Sequence, residues 1–186
     1  RVTSTSASAI NGSLLANGRI FLVNPNGVFI GASGAVNAAG FVASSLAISD
    51  SDFLSGTYNF TGGTTAGGVR NDGHINVGQG GIVGLIGRQT ANNGTIDAGY
   101  GAVLIAAGDT VAVDFDGDGL MSFSVSGELA DVLVTNAGSI HAGGGSIVLA
   151  ASAAADIASS VVNNTGVINV SGDAGAEGGT VSLSAG

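Results

Sequence analysis

Two short apolar runs, Ile20–Val23 and Val28–Ile30, flank the polar turn Asn24-Pro25-Asn26-Gly27, and this alternation of run and turn continues along the chain. In that turn Pro25 presets φ for the second position, Asn26 tolerates the bridge or left-handed region, and Gly27 relieves the exit. Further on, Asn-x-Gly-x-Ile recurs at Asn71–Ile75, Asn92–Ile96, Asn136–Ile140 and Asn164–Ile168, with asparagines 21, 44 and 28 residues apart. Each copy leads into a Gly turn and a β-branched run. Counted from the second turn residue, positions +2 and +4 are Val83 and Leu85, Val103 and Ile105, Ile147 and Leu149, and Val181 and Leu183.

Period two with β-branched residues predicts strands. A unit of about 20 residues with insertions accounts for the three spacings and is typical of a solenoid coil. Short strands joined by Gly/Asn corners, each pairing in parallel with its equivalent in the next coil, predict an all-β parallel β-helix. Glycine is expected at the corners for its positive φ and because its missing side chain lets coils stack closely. On this reading Asn24, Pro25, Asn26 and Gly27 form a β-helix corner, not a hairpin. Two stretches break the rhythm. Residues 49–68, with Phe53, Tyr58 and Phe60, are expected to pack over an edge or flank, and residues 112–134, with alternating Met121, Phe123 and Val125, to form an extruded hairpin.

Composition narrows the function. Charged residues are 9% of the 186, against about 25% in an ordinary domain, while Gly reaches 34 with a single Pro. The four basic residues, Arg1, Arg19, Arg70 and Arg88, are scattered, and a net charge of −9 disfavours nucleic acid and anionic lipid. The absence of Cys removes disulfides and thiolate metal sites and suits passage through an oxidising envelope. No apolar run approaches the length of a membrane span, so no membrane insertion is expected. The start, RVTSTSASAI, lacks a signal pattern and the end stops mid-pattern at VSLSAG. The chain is therefore read as one β-helix segment, 1–186, of a longer protein.

The sharpest chemical motif is Asp114-Phe-Asp116-Gly-Asp118-Gly119, which matches the first half of a calcium loop, with alternate carboxylates converging on a hard cation. Position 12 is Val125 instead of Glu, so Asp114, Asp116 and Asp118 are a candidate calcium site or simply an acidic hairpin turn. No other cofactor is expected. His74 and His141 sit at different offsets in their coils and read as solvated or packed side chains. Polysaccharide lyases share the β-helix, but their chemistry needs several acids with a cation on one strand face. Here Asp97, Asp109, Asp114, Asp116, Asp118 and Asp131 have only Arg88 nearby in sequence. The chain is not expected to be an enzyme, and scattered Thr residues make no ice-binding array.

The segments Asn17-Gly18-x-Ile20-Phe21-Leu22-Val23-Asn24-Pro25-Asn26-Gly27-Val28 and Gly40-Phe41-Val42-Ala43-Ser44-Ser45-Leu46, with the opening Arg1-Val2-Thr3, carry a family resemblance. They resemble the secretion and haemagglutination-activity domain of two-partner secretion exoproteins, the filamentous-haemagglutinin-like and high-molecular-weight adhesins. The resemblance implies a right-handed parallel β-helix exported through an Omp85-type outer-membrane transporter, with Asn24–Gly27 as the secretion motif. It also implies a secreted or cell-surface adhesin that attaches to a host-cell or matrix glycan or protein receptor. The alternative is a passive stalk of a larger exoprotein whose activity lies elsewhere.

Overall fold

A computed structural model describes residues 1–3, 5–62, 67–114, 123–126, 133–152 and 162–185. Among these, three parallel sheets of six strands form the walls of a β-helix. The first wall stacks Ser8–Ile10, Val28–Ile30, Val69–Asn71, Gln89–Asn92, Leu133–Asn136 and Val162–Asn164. The second stacks Ser13–Leu15, Ala35–Ala38, His74–Val77, Thr95–Asp97, Ser139–His141 and Val167–Asn169. The third stacks Arg19–Val23, Gly40–Ser44, Ile82–Gly87, Ala102–Ala107, Ser146–Ala151 and Thr180–Ala185. Each coil visits the walls in that order, and every neighbouring pair within a wall is parallel.

The register agrees with the repeat. Val83, Val103, Ile147 and Val181 lie opposite one another, as do Leu85, Ile105, Leu149 and Leu183. Ile75, Ile96, Ile140 and Ile168 form a third column on the second wall. Apart from Val181 and Leu183, which are half-exposed on the last coil, these inward side chains make one continuous core through the middle of the coil stack. Burying each Val, Leu or Ile is worth about 1.5–3 kcal/mol, so stability accumulates coil by coil.

The repeating asparagines also stack inside. Asn71 donates through Nδ2 to Asn92 Oδ1 at 2.8 Å, Asn92 to Asn136 at 2.8 Å and Asn136 to Asn164 at 2.7 Å. The three lower members are buried at the corner between the first and second walls. Asn92 and Asn136 thus each donate to one neighbouring coil and accept from the other, while Asn71 Oδ1 accepts from Gly73 N–H, which meets the hydrogen-bonding demand of a buried polar group. Two residues on, Gly94, Gly138 and Gly166 each follow a ladder asparagine, and a Cβ on any of them would collide with the carbonyl oxygen of the glycine one coil back. Close approach, not positive φ, is what demands these glycines. Positive φ falls instead at Gly27, Gly56, Gly80, Gly144 and Gly175, and at Tyr100.

The two interruptions of the repeat meet each other. Ala47–Ile48, Tyr58–Thr61, Thr110–Val113 and Phe123–Ser126 form an antiparallel sheet, with the helix Asp50–Ser55 between its first two strands. Ser49 caps this helix through its side chain and Gly56 closes it in the left-handed conformation. The sheet lies on the outer face of the third wall, where Phe60 and Val111 join Val42, Ile86, Leu104 and Val148 in a second core. That is why Ile82–Gly87, Ala102–Ala107 and, after Ser146, the strand Ser146–Ala151 carry no polar side chain: both faces are covered. At Thr180–Ala185 the outward positions become Ser182 and Ser184.

Another inward polar residue lacks the partners that the ladder asparagines have. Thr90 aligns with Val69 and Val134, is 2% exposed, and its hydroxyl is buried without a hydrogen-bond partner. Thr90→Val is expected to raise stability by about 1 kcal/mol, read from thermal denaturation; a lower melting temperature would mean the hydroxyl is satisfied. By contrast, Asn92→Ala strands the amide of Asn71 and the carbonyl of Asn136 and is expected to cost about 2–4 kcal/mol.

Candidate functional site

The corner Asn24-Pro25-Asn26-Gly27 joins two walls. Arg19–Val23 pairs within the third wall and Val28–Ile30 within the first, so the two flanking strands do not pair with each other. Gly27 N–H donates to the Asn24 carbonyl at 2.9 Å and closes the turn. The fully buried Asn24 side chain organises the surroundings. Its Oδ1 accepts from Asn26 N–H at 3.0 Å, and its Nδ2 donates to the Ser6 carbonyl and to Ser8 Oγ, both at 2.9 Å. The backbone of the corner reaches both neighbouring segments: Asn24 N–H donates to the Ser44 carbonyl at 2.9 Å, and Gly67 N–H donates to Pro25 O at 2.8 Å. Gly27 holds φ 112, a value that disfavours a side chain, and an added Cβ would lie 3.0 Å from Gly68 O. Pro25 and Asn26 remain exposed.

Beside the corner, a groove of about 370 Å³ runs over the outer face of the first wall. Phe29, 40% exposed, stands at one end with the Arg70 guanidinium 5.2 Å from its ring centroid. Arg70 Nε donates to Asp72 Oδ1 at 2.7 Å, and Asn93 Nδ2 donates to the same oxygen at 2.8 Å. The bond from Arg70 holds the Asp72 carboxyl below its ordinary range, with a smaller opposing effect of partial burial and further help from Asn93. A depressed carboxyl contributes stability above its unfolded pKa and loses it as pH falls through the folded value. The pair is therefore intact at neutral pH and lost only in acid.

Asp114 borders a separate cavity of about 380 Å³ with Tyr58, Asn59 and Ser124, far along the chain from the corner, whereas Asp116 and Asp118 lie outside the described residues. Sequence reasoning also missed a cluster. Parallel pairing places Asp97 against both histidines, with Oδ1 3.1 Å from His141 Nδ1 and Oδ2 3.4 Å from His74 Nε2. The signal was the 44-residue offset between Asp97 and His141, which equals the Asn92–Asn136 spacing. Among the described residues, no group of three such side chains converges to hold a metal ion. A further set joins the antiparallel lobe to the first coil: Phe21 stacks on Tyr58 at 5.4 Å and meets Phe53 edge-on at 5.2 Å.

Residues 1–185 match the family model described as the TPS secretion domain. The chain is 34% identical over 151 residues to a heme/hemopexin-binding protein of Haemophilus influenzae (strain ATCC 51907 / DSM 11121 / KW20 / Rd), covering 77% of this chain and 16% of that protein. A second heme/hemopexin-binding protein of Haemophilus influenzae is 41% identical over 61 residues, 33% of this chain and 7% of the relative. The chain thus spans a small part of these relatives' length. The crystal structure of the HMW1 secretion domain from Haemophilus influenzae superposes with a TM-score of 0.83 at 28% identity, covering 98% of this chain and 47% of that one.

The geometry separates the amide of Asn24 from its shape. Asn24→Asp keeps the bond from Asn26 but replaces two donated bonds with a carboxylate facing the Ser6 carbonyl. It is expected to cost about 2–3 kcal/mol, seen as a lower melting temperature that partly recovers when the pH is lowered to protonate the carboxyl. Unchanged stability at neutral pH would show that the Nδ2 bonds contribute nothing.

Proposed function

The chain belongs to the TPS secretion domain family, part of a secreted two-partner exoprotein with an outer-membrane transporter partner, and on that footing we propose that its corner is read by the transporter and that the parent is an adhesin. The observation that carries the first half is the division of labour at Asn24–Gly27: Asn24 is buried and structural, while Pro25 and Asn26 present themselves to solvent. Turn chemistry alone needs the buried half. The exposed half, Pro25 and Asn26, is the part assigned to recognition.

The attachment reading draws on the resemblance to the high-molecular-weight adhesins and on the antiparallel lobe built from the two interruptions. A rigid β-helix carries that lobe away from its anchor, and residues 49–68 and 112–134 offer binding surfaces. The action is recognition and reach, without a catalytic step, displayed at the bacterial surface or released. The similarity to heme/hemopexin-binding proteins favours a second reading, in which the parent captures a haem-carrying ligand; a hemopexin pull-down with the whole exoprotein separates the two.

Asn26→Ala removes the 3.3 Å side-chain bond to Asn24 Oδ1. It is expected to shift stability by no more than about 0.5 kcal/mol, as for most surface substitutions, yet to lower export several-fold when exoprotein in the medium is quantified beside a cell-associated control. Undiminished export with an unchanged melting temperature would assign the corner to folding alone.

A further inference from the structure

We propose that the groove beside the corner is a binding site for a neutral linear glycan lying along the helix axis. Its lining comes from successive coils of one wall: Phe29, Arg70, Ala91 and Thr135 occupy one register column, with Gln89 and Asn26 at its margins. Neighbouring strands are about 4.8 Å apart, so these four coils span about 14 Å along the axis. The site is therefore elongated and repeats with the pitch of the coils.

That pitch selects the class of occupant. An extended peptide rises about 3.3 Å per residue and returns a side chain to the same face every ~6.6 Å, out of step with the coils. Its backbone also finds no strand edge on the face of a sheet, where all ladder groups are paired. A linked pyranose chain advances by close to one coil per sugar, so successive units fall at equivalent positions of successive coils.

The chemistry fits the same class. The exposed Phe29 ring offers an apolar face to the axial C–H groups of a sugar, and water released from that contact is the hydrophobic part of the binding. Arg70 spends two N–H groups on Asp72, leaving further donors of its five for hydroxyls. Gln89, Thr135 and Asn26 add amide and hydroxyl groups that both donate and accept. The local cation is neutralised by Asp72, and the chain carries −9 overall with no Lys, so sulfated and sialylated chains are repelled. This site lies on the coil wall, apart from the lobe to which attachment was assigned above, and does not depend on it.

The test is an array of neutral tetrasaccharides, α-1,4-glucan, β-1,4-glucan and chitin-derived, beside sulfated and sialylated glycans, probed with this chain and followed by calorimetry. A neutral tetramer is expected to bind, with a dimer weaker. Phe29→Ser and the groove-filling Ala91→Glu should each weaken binding at least tenfold with an unchanged melting temperature, whereas removal of 115–122, between the strands Thr110–Val113 and Phe123–Ser126, should leave it intact. The proposal is overturned if no neutral tetramer binds, if binding is confined to sulfated or sialylated glycans, or if it survives both substitutions. It is also overturned if binding disappears only with 115–122, a result that would leave the attachment reading standing.

Discussion

The structure depends on how closely one coil can lie on the next. At the corner between the first and second walls, Gly73, Gly94, Gly138 and Gly166 stack so tightly that each carbonyl occupies the space of the next residue's missing side chain. Beside them the amides of Asn71, Asn92, Asn136 and Asn164 pass one hydrogen bond from coil to coil. The two features are complementary. The glycines set the distance, and the asparagines supply a polar group that is satisfied only at that distance, so a slipped register would strand buried donors and acceptors. With the corner fixed, the aliphatic columns fall opposite one another and the walls follow.

The Asn24 corner works by a different route. It is not in the ladder, because the first-wall column that holds the asparagines begins with Ile10 and Ile30 in the first coils. Its amide ties the turn to the incoming segment at Ser6 and Ser8, and its backbone ties the turn to the coil above at Ser44. The exposed half, together with Phe29 and Arg70, then forms a surface that the buried half holds in place. Folding and recognition therefore share one turn while using different atoms of it.

The repeat was legible in the sequence because inward packing permits so few choices: the +2 and +4 positions pair as the spacing implies, and the Asn-x-Gly-x-Ile units coincide with the ladder. The outer face of the third wall was less visible. Ile86, Leu104 and Ala106 look redundant until strands 58–61 and 110–113, the first of them remote in sequence, are laid over them. The Asp97 pairing with His74 and His141 was hidden for a similar reason, since it exists only across coils. The glycines were found for a reason that the structure refines, as crowding and not positive φ governs those that follow the ladder asparagines. Nothing in the local sequence marks Phe29 and Arg70 as neighbours, 41 residues apart, until the intervening excursion is removed.

The central claim is that the stacked asparagine amides bind the coils. Side-chain amide exchange followed by NMR addresses it directly. The Nδ2 protons of Asn71, Asn92 and Asn136 are expected to be protected about as long as the backbone amides of the strands around them, while the Nε2 protons of exposed Gln79 exchange at the rate of a solvent-facing amide. Equal, rapid exchange at all four positions would contradict the account.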